Sequence, residues 1–360
     1  MKTNILEQVI DQVTTPDKKF MSINFGCRVN AAELNQLSQV FLEQGFSPLS
    51  QGLKGEVTPD VILINTCSVT KKADIESLSR IRTLHRQYPG AKIIATGCAT
   101  LQKVDGLENI ITINNKSKEE LLKDLRCAYT PQIEDKFSHT KRFLLKVQSG
   151  CSQMCTYCIV PYRRPYLWSL SLDDALATAT QAIKNGYEEI IITGVNLEQY
   201  EPGFSNLVEI LLTKTNIKLI SYGSIPVNCV DNKFINLLSK YSHRLSLFLH
   251  IPLQSGSTKI LKKMNRPYDQ PKILEMYGKL KEIPVNLHYG TDIIVGFPGE
   301  TESDFQDTLK ICQRVGFTKI HRFKYSARPQ SAAKALYKPD KLLTPAVLAA
   351  RLEQIKKIEL

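Results

Sequence analysis

Gln148-Ser149-Gly150-Cys151-Ser152-Gln153-Met154-Cys155-Thr156-Tyr157-Cys158 is the stretch on which the reading of this chain turns. Three thiolates at C-x3-C-x2-C spacing can hold three corners of a four-iron cluster. The fourth iron then has no protein ligand, and it can bind the amino and carboxylate groups of S-adenosylmethionine (SAM), placing the sulfonium within reach of an electron from the cluster. A zinc knuckle is the competing reading. A closed structural zinc site wants four ligands, however, and no His or Cys follows at a suitable distance.

Outward from this loop toward the C-terminus, short β-rich runs alternate with amphipathic helical stretches. Strands are predicted near 143–147, 188–193, 217–223, 245–250, 286–295 and 318–325. Six βα units make a partial (β/α)6 barrel, in which chemistry lies at the C-terminal mouth. The Cys151 loop begins just past the first of these strands. The other strand ends carry polar or Gly/Pro-rich sequence: Thr193-Gly194-Val195-Asn196, Ser224-Ile225-Pro226, His250 to Ser257, Asp292 to Thr301, and Tyr325 to Arg328. Glycine and proline alone would mean only turns, but polar clustering on one rim favours a binding site.

Outward in the other direction, strands are predicted near 20–25, 60–65, 91–96 and 109–113, with helices near 31–44, 70–87 and 117–127. These read as right-handed βαβ units with a parallel, Rossmann-like sheet, so the chain as a whole is α/β. The resulting division is an N-terminal extension (1–19), an α/β domain (20–128), a polar linker (129–142), the barrel core (143–335) and a C-terminal helical segment (336–360). The extension reads as a short amphipathic helix on Ile5, Leu6, Val9, Ile10 and Val13. Cys27, Cys67 and Cys98 each follow a strand of the first domain. In a parallel sheet those C-terminal ends share one edge, so residues 40 and 31 positions apart in sequence can converge there. Three thiolates at matching places suggest a second iron-sulfur cluster rather than three small residues in βα turns. Cys127, Cys229 and Cys312 have no such context and read as core thiols.

Composition sets the frame around these motifs. With 360 residues, 42% hydrophobic and 23% charged, the chain has the balance of a soluble globular protein. A net charge of +12 favours a polyanionic partner such as RNA, as support rather than proof. No run approaches the roughly 18 apolar residues of a membrane span, and Glu7 and Asp11 interrupt the place of a signal-peptide core. A cytoplasmic protein is expected, in which nine cysteines point to metal or redox chemistry rather than disulfides.

On these residues the chain resembles the radical SAM methylthiotransferase family from Phe20 to about Leu360. C-x3-C-x2-C alone would indicate only the superfamily. Three upstream cysteines, the His250 to Ser257 segment and the Asp292 to Thr301 segment, in the family's order, make the resemblance specific. Gly26-Cys27-Arg28-Val29-Asn30 with Glu33, and Asn65-Thr66-Cys67-Ser68-Val69-Thr70, are most similar to the branch acting on threonylcarbamoyladenosine beside the tRNA anticodon. Sister branches modify isopentenyladenosine in tRNA or an aspartate of a ribosomal protein. A non-catalytic iron-sulfur protein that binds RNA or senses redox state is the alternative outside the enzyme class.

The resemblance implies replacement of the adenine C2–H by C–S–CH3, with two SAM molecules per product and two 4Fe-4S clusters. Cys151, Cys155 and Cys158 would hold the cluster that cleaves SAM, and Cys27, Cys67 and Cys98 the auxiliary cluster that carries or donates sulfur. Tyr157, Thr193, Gly194, Asn196, Ser224, His250 and Gln254 would contact SAM from the rim, with Ser255 beside them. For Tyr157 simple packing competes with that role, and for His250 a hydrogen-bonded core position does. Gly296, Pro298 and Gly299 read as a turn. A flavodoxin- or ferredoxin-like reductant is implied as a partner.

Two departures qualify the resemblance. Arg163-Arg164-Pro165-Tyr166-Leu167-Trp168-Ser169-Leu170 lacks two arginines the family shows, with Trp168 and Leu170 in their places, and Trp168 reads as core packing ahead of a base-stacking role. The resemblance also stops before the small RNA-binding β-barrel of the family. RNA is therefore expected to meet basic surfaces that include Arg28, Arg163, Arg164 and Arg328, through phosphate contacts sensitive to salt.

Overall fold

The computed structural model describes residues 5–50, 57–99, 101–104, 106–126, 141–336 and 342–359. The chain forms two compact units, Met1–Lys146 with Lys184–Tyr187, and Val147–Ile183 with Glu188–Leu360. Cys127 and most of the expected linker lie outside the described residues, and a strand already begins at Arg142. No described helix is long and apolar enough to cross a membrane.

In the first unit, strands β1 (Lys19–Asn24), β2 (Ser47–Pro48), β3 (Val61–Thr66), β4 (Lys92–Gly97) and β5 (Ile110–Ile113) form a parallel sheet in the order β2-β1-β3-β4-β5. Central β3 is buried at all six positions, as an unbroken apolar run between two helical layers should be. Its side chains alternate. Val61 and Leu63 join a core with Leu34, Leu37 and Phe41 of helix Arg28–Glu43, whereas Ile62 and Ile64 join Leu78, Ile81 and Leu84 of helix Lys71–Gln87. The N-terminal helix Ile5–Asp11 adds Leu6, Val9 and Ile10 to the first of these cores, while Ile5 of the expected apolar set is exposed. β2 was not expected, because two residues at a sheet edge leave no periodic signal.

Strand β6 (Arg142–Ser149) belongs to the first unit up to Lys146 and to the second from Val147, and the second unit continues with β7 (Trp168–Ser169), β8 (Glu189–Gly194), β9 (Leu219–Tyr222), β10 (Phe248–His250), β11 (His288–Val295) and β12 (Lys319–Lys324). Two hydrogen-bonded groups, β7-β6-β8-β9 and β10-β11-β12, are joined through a parallel bridge between Ile220 and Leu245. The two-residue β7 runs antiparallel to β6, whereas β8–β9, β10–β11 and β11–β12 pair in parallel. The result is an open arc in chain order rather than a closed barrel, with no pairing of β12 to β6 among the described residues. Tyr222 packs on Phe204 and Phe234, and Tyr289 on Tyr277, so these strand positions face the helices. Strand alternation then puts Phe248, His250, Asp292, His321 and Phe323 on the opposite, concave face.

Candidate metal centres

Strand register assembles the first cysteine triad. Asn24 pairs with Asn65, and Asn65 with Thr96, so the turns bearing Cys27, Cys67 and Cys98 leave the sheet side by side. A buried amide and hydroxyl network stitches these turns together. The Asn30 side chain donates to the Thr66 carbonyl at 2.7 Å, and that of Asn65 to the Asn30 carbonyl at 2.8 Å. The Thr66 hydroxyl donates to the Thr96 carbonyl at 2.7 Å and accepts from the Ala99 N–H at 3.1 Å, while Cys98 N–H donates to Thr66 O at 3.0 Å. Gly97 has φ +107°, and a Cβ there would lie 2.4 Å from Thr66 backbone atoms, so only glycine permits this approach. Cys27 caps helix Arg28–Glu43 from an extended backbone, which starts that helix three residues before the expected 31. Below the turns the Glu33 side chain, fully buried, pairs with Lys118 at 2.6 Å and Lys146 at 2.8 Å.

The second triad sits on one loop after β6. Gly150 has φ +85°, and its Cβ would meet the Tyr166 carbonyl oxygen at 2.0 Å. Gln148 fixes the loop base, donating to Gly150 O at 2.7 Å and accepting from Asn196 N–H at 2.8 Å. The far side is tied down by Thr156, whose hydroxyl donates to Lys263 O at 2.8 Å, and by Asn265, whose side chain donates to Gln153 O at 3.1 Å. Two donors already address the sulfurs: Asn196 Nδ2 lies 3.6 Å from Cys151 Sγ, and Arg266 Nη1 lies 3.3 Å from Cys155 Sγ. Arg266 is held by Tyr268, whose hydroxyl is 2.9 Å from Nε and whose ring lies 4.9 Å beneath the guanidinium.

The donor sets fit iron. Burial, with Cys155 and Cys151 adding to it and the Val160 N–H and Arg266 opposing it, raises the Cys158 thiol to about 12. Burial likewise raises Cys67, with Cys98 and Cys27 adding to the rise. Thiols that burial and mutual repulsion both disfavour as anions are stabilised as thiolates by a bound cation. All eight described cysteines are free, and Cys229 and Cys312 are buried, as core thiols would be.

Asn196 meets Cys151, as above, and Ser224 Oγ lies 3.0 Å from His250 Nδ1. Thr193 is buried, Gly194 packs against Leu197 and Gln148, and Tyr157 packs with Ile260, Met264, Ile294 and Phe297. Gln254 (φ +71°) bonds through its backbone to Asp292 and Ile294, and Ser255 is buried against Thr308. Gly296 and Gly299 both have positive φ in the turn after β11, where Glu300 accepts from the Gly296 N–H. Two of the four arginines assigned to an RNA surface are misplaced. Arg164 is 4% and Arg328 3% exposed, and Arg164 donates to Ser149 Oγ at 3.2 Å, so neither presents its charge to a phosphate. Arg28 is exposed and Arg163 half-buried. Arg266, Gln148 and the Asn30–Asn65–Thr66 network were not anticipated. Polar Asn65 and Thr66 inside an otherwise apolar strand were the available signal for the network.

An open parallel arc with a C-x3-C-x2-C loop at the C-terminal end of its first strand defines a radical SAM enzyme. Residues 145–312 match the Radical SAM superfamily, and residues 19–117 match Uncharacterized protein family UPF0004. The chain is 34% identical over 87% of its length to the threonylcarbamoyladenosine tRNA methylthiotransferase MtaB of Chlamydia pneumoniae, covering 76% of that protein. It is 32% identical over 86% of its length to that of Bacillus subtilis, covering 73%. A tRNA-2-methylthio-N(6)-dimethylallyladenosine synthase of Bdellovibrio bacteriovorus is 29% identical over 86% of the chain and is covered to 74%. Among solved structures, the radical SAM methyltransferase TsrM of Kitasatospora setae, with cobalamin and a 4Fe-4S cluster bound, superposes with TM-score 0.62 at 12% identity. It covers 88% of this chain and is covered to 77%, a likeness of fold alone. The protein belongs to the radical SAM methylthiotransferase family, whose members use SAM and 4Fe-4S clusters.

Proposed function

We propose that this enzyme converts the C2–H of N6-threonylcarbamoyladenosine, next to the tRNA anticodon, into C2–S–CH3. The observation that carries this reading is the pair of cysteine triads, in a chain 31–34% identical to relatives named for that tRNA nucleoside. Cys151, Cys155 and Cys158 would hold a 4Fe-4S cluster, which when bound would supply the electron for reductive cleavage of SAM. Cys27, Cys67 and Cys98 would hold a second cluster at the sheet edge, where sulfur is delivered.

The chain's own residues position and shield. Gln148, Asn196 and Thr156 fix the loop, and Arg266 places a positive charge on Cys155. Thr193, Gly194, Ser224, His250 and Gln254 line strand ends where SAM would lie, with Tyr157 closing one side. In this reading residues 20–128 and 143–335 are the two working domains joined by 129–142, the enzyme is cytoplasmic, and a flavodoxin- or ferredoxin-like protein supplies electrons. Arg28 and Arg163 remain as candidate phosphate contacts.

The dimethylallyladenosine synthases at 29% identity support a second reading, with isopentenyladenosine in tRNA as substrate. Mass spectrometry of tRNA nucleosides from cells with and without the gene decides between them. Loss of 2-methylthio-N6-threonylcarbamoyladenosine is expected on deletion. Loss of the isopentenyl nucleoside instead supports the second reading, and an unchanged pattern overturns both.

A further inference from the structure

We propose that His250, Asp292 and His321 form a third metal site, distinct from both cysteine triads, that takes a divalent first-row transition ion. The three residues come from adjacent strands β10, β11 and β12 on the concave face. One donor atom of each lies within 4.8 Å of the others. Asp292 Oδ1 is the hub, 3.2 Å from His250 Nε2 and 3.1 Å from His321 Nδ1. Metal–ligand bonds of roughly 2.0–2.2 Å put neighbouring ligand atoms roughly 3.0–3.5 Å apart, so both separations already match a shared ion.

Two further observations point to a cation. His250 Nε2 is buried and makes no hydrogen bond despite its closeness to the Asp292 carboxylate. Its other nitrogen, Nδ1, lies 3.0 Å from Ser224 Oγ. When that hydroxyl accepts from Nδ1–H, the Nε2 lone pair faces a carboxylate oxygen, an arrangement that is repulsive until a positive ion lies between them. A ligating histidine ordinarily has such an outer partner on its second nitrogen, which fixes the tautomer and the ring.

The donor set selects the class of ion. Two imidazoles and one carboxylate suit Zn2+, Fe2+ or Co2+ and not the all-oxygen preference of Mg2+ or Ca2+. The site is open on one side, since the His321 side chain is 50% exposed whereas His250 and Asp292 are mostly covered. Phe248 and Phe323 flank the opening on the same face, and an oxygen or nitrogen donor entering between them would complete the coordination shell. The assignment holds whichever nucleoside the enzyme modifies, and it commits both ring nitrogens of His250, one to the ion and one to Ser224, in place of a direct contact with SAM.

The test uses anaerobically prepared, cluster-loaded enzyme titrated with Zn2+ by calorimetry, followed by Zn K-edge X-ray absorption, which is blind to the iron. One zinc per chain in a nitrogen/oxygen shell with imidazole scattering is expected. His321→Ala should weaken binding by more than about 100-fold, and Ser224→Ala by about 10-fold, with iron content unchanged. Asp292→Asn repeats the test if His321→Ala loses iron. A sulfur shell around the zinc, or zinc affinity indifferent to both His321→Ala and Asp292→Asn, overturns the proposal.

Discussion

Cys151, Cys155 and Cys158 lie within one short loop, whereas Cys27, Cys67 and Cys98 come from three strand ends that are 40 and 31 residues apart. The loop triad is a local structure, shaped by Gly150 and by hydrogen bonds from Gln148 and Thr156. The sheet triad exists only when β1, β3 and β4 are in register. It depends on a side-chain network, since each turn alone has nothing to aim its thiol at the other two. One site is written in a motif and the other in a topology, so they should fail differently.

The largest effect separates their labours. Alanine at Cys151, Cys155 and Cys158 together should remove about half the iron and abolish both deoxyadenosine and methylthiolated product. Alanine at Cys27, Cys67 and Cys98 should also remove about half the iron, but deoxyadenosine should still form from SAM while product falls below detection. Anaerobic turnover with dithionite and SAM, read by chromatography, checks both. Deoxyadenosine lost in the second variant would break the comparison.

Thr66→Val sharpens it. The change keeps side-chain shape but removes the hydroxyl's donation to the Thr96 carbonyl and leaves the buried Ala99 N–H without its acceptor, which is expensive. A loss of about 1–3 kcal/mol in denaturant unfolding is expected, together with selective loss of iron from the sheet triad. Equal loss from both triads would mean that the network is not specific to one of them.

A smaller effect concerns tuning in the loop. Arg266→Met removes a positive charge and a donor 3.3 Å from Cys155 Sγ. Both favour extra electron density on a cluster, so the midpoint potential should move more negative, with Arg266→Lys intermediate. An EPR-monitored redox titration reads the shift, and an unmoved potential would reduce Arg266 to a packing residue.

The smallest prediction touches the support under the rim. Burial works against the Asp304 charge, but Lys259 Nζ at 2.8 Å, the Thr301 hydroxyl and N–H, and Ser257 Oγ hold its carboxyl well below the usual range. A depressed folded value means stability that is full above the ordinary carboxylate pKa of roughly 4 and lost as pH falls through the folded value. Asp304→Asn should therefore cost about 1–3 kcal/mol at neutral pH, with the gap to wild type closing in acid. Thermal melts across the acid range test the sign, and a gap that widens as pH falls would contradict it.

Much of this architecture was legible because buried parallel strands announce themselves. Val61–Thr66 was expected one residue early from its unbroken apolar run, and His288–Val295 two residues early. β10 is shorter than its expected 245–250 because only Phe248, Leu249 and His250 pair with β11, while Leu245 makes a single bridge to β9. The cysteines were legible through position, three after strands and three in one motif. Arg266 was not, because its partner Cys155 lies 111 residues away and no local pattern marks it. Arg164 was misread for a related reason. A basic pair after proline looks like surface, but the Arg164 carbonyl accepts from Cys151 N–H and its guanidinium turns inward to Ser149.

Thr66 has a consequence for the life of the enzyme after damage. Its carbonyl receives both Asn30 and Cys98, and its hydroxyl spans Thr96 and Ala99, so a single residue braces the turns around all three sulfurs. When oxidation or sulfur donation erodes the inorganic core, the scaffold should keep its shape, leaving a waiting socket in place of a collapsed loop. Repair then becomes a matter of delivering iron and sulfide, with no refolding step in between.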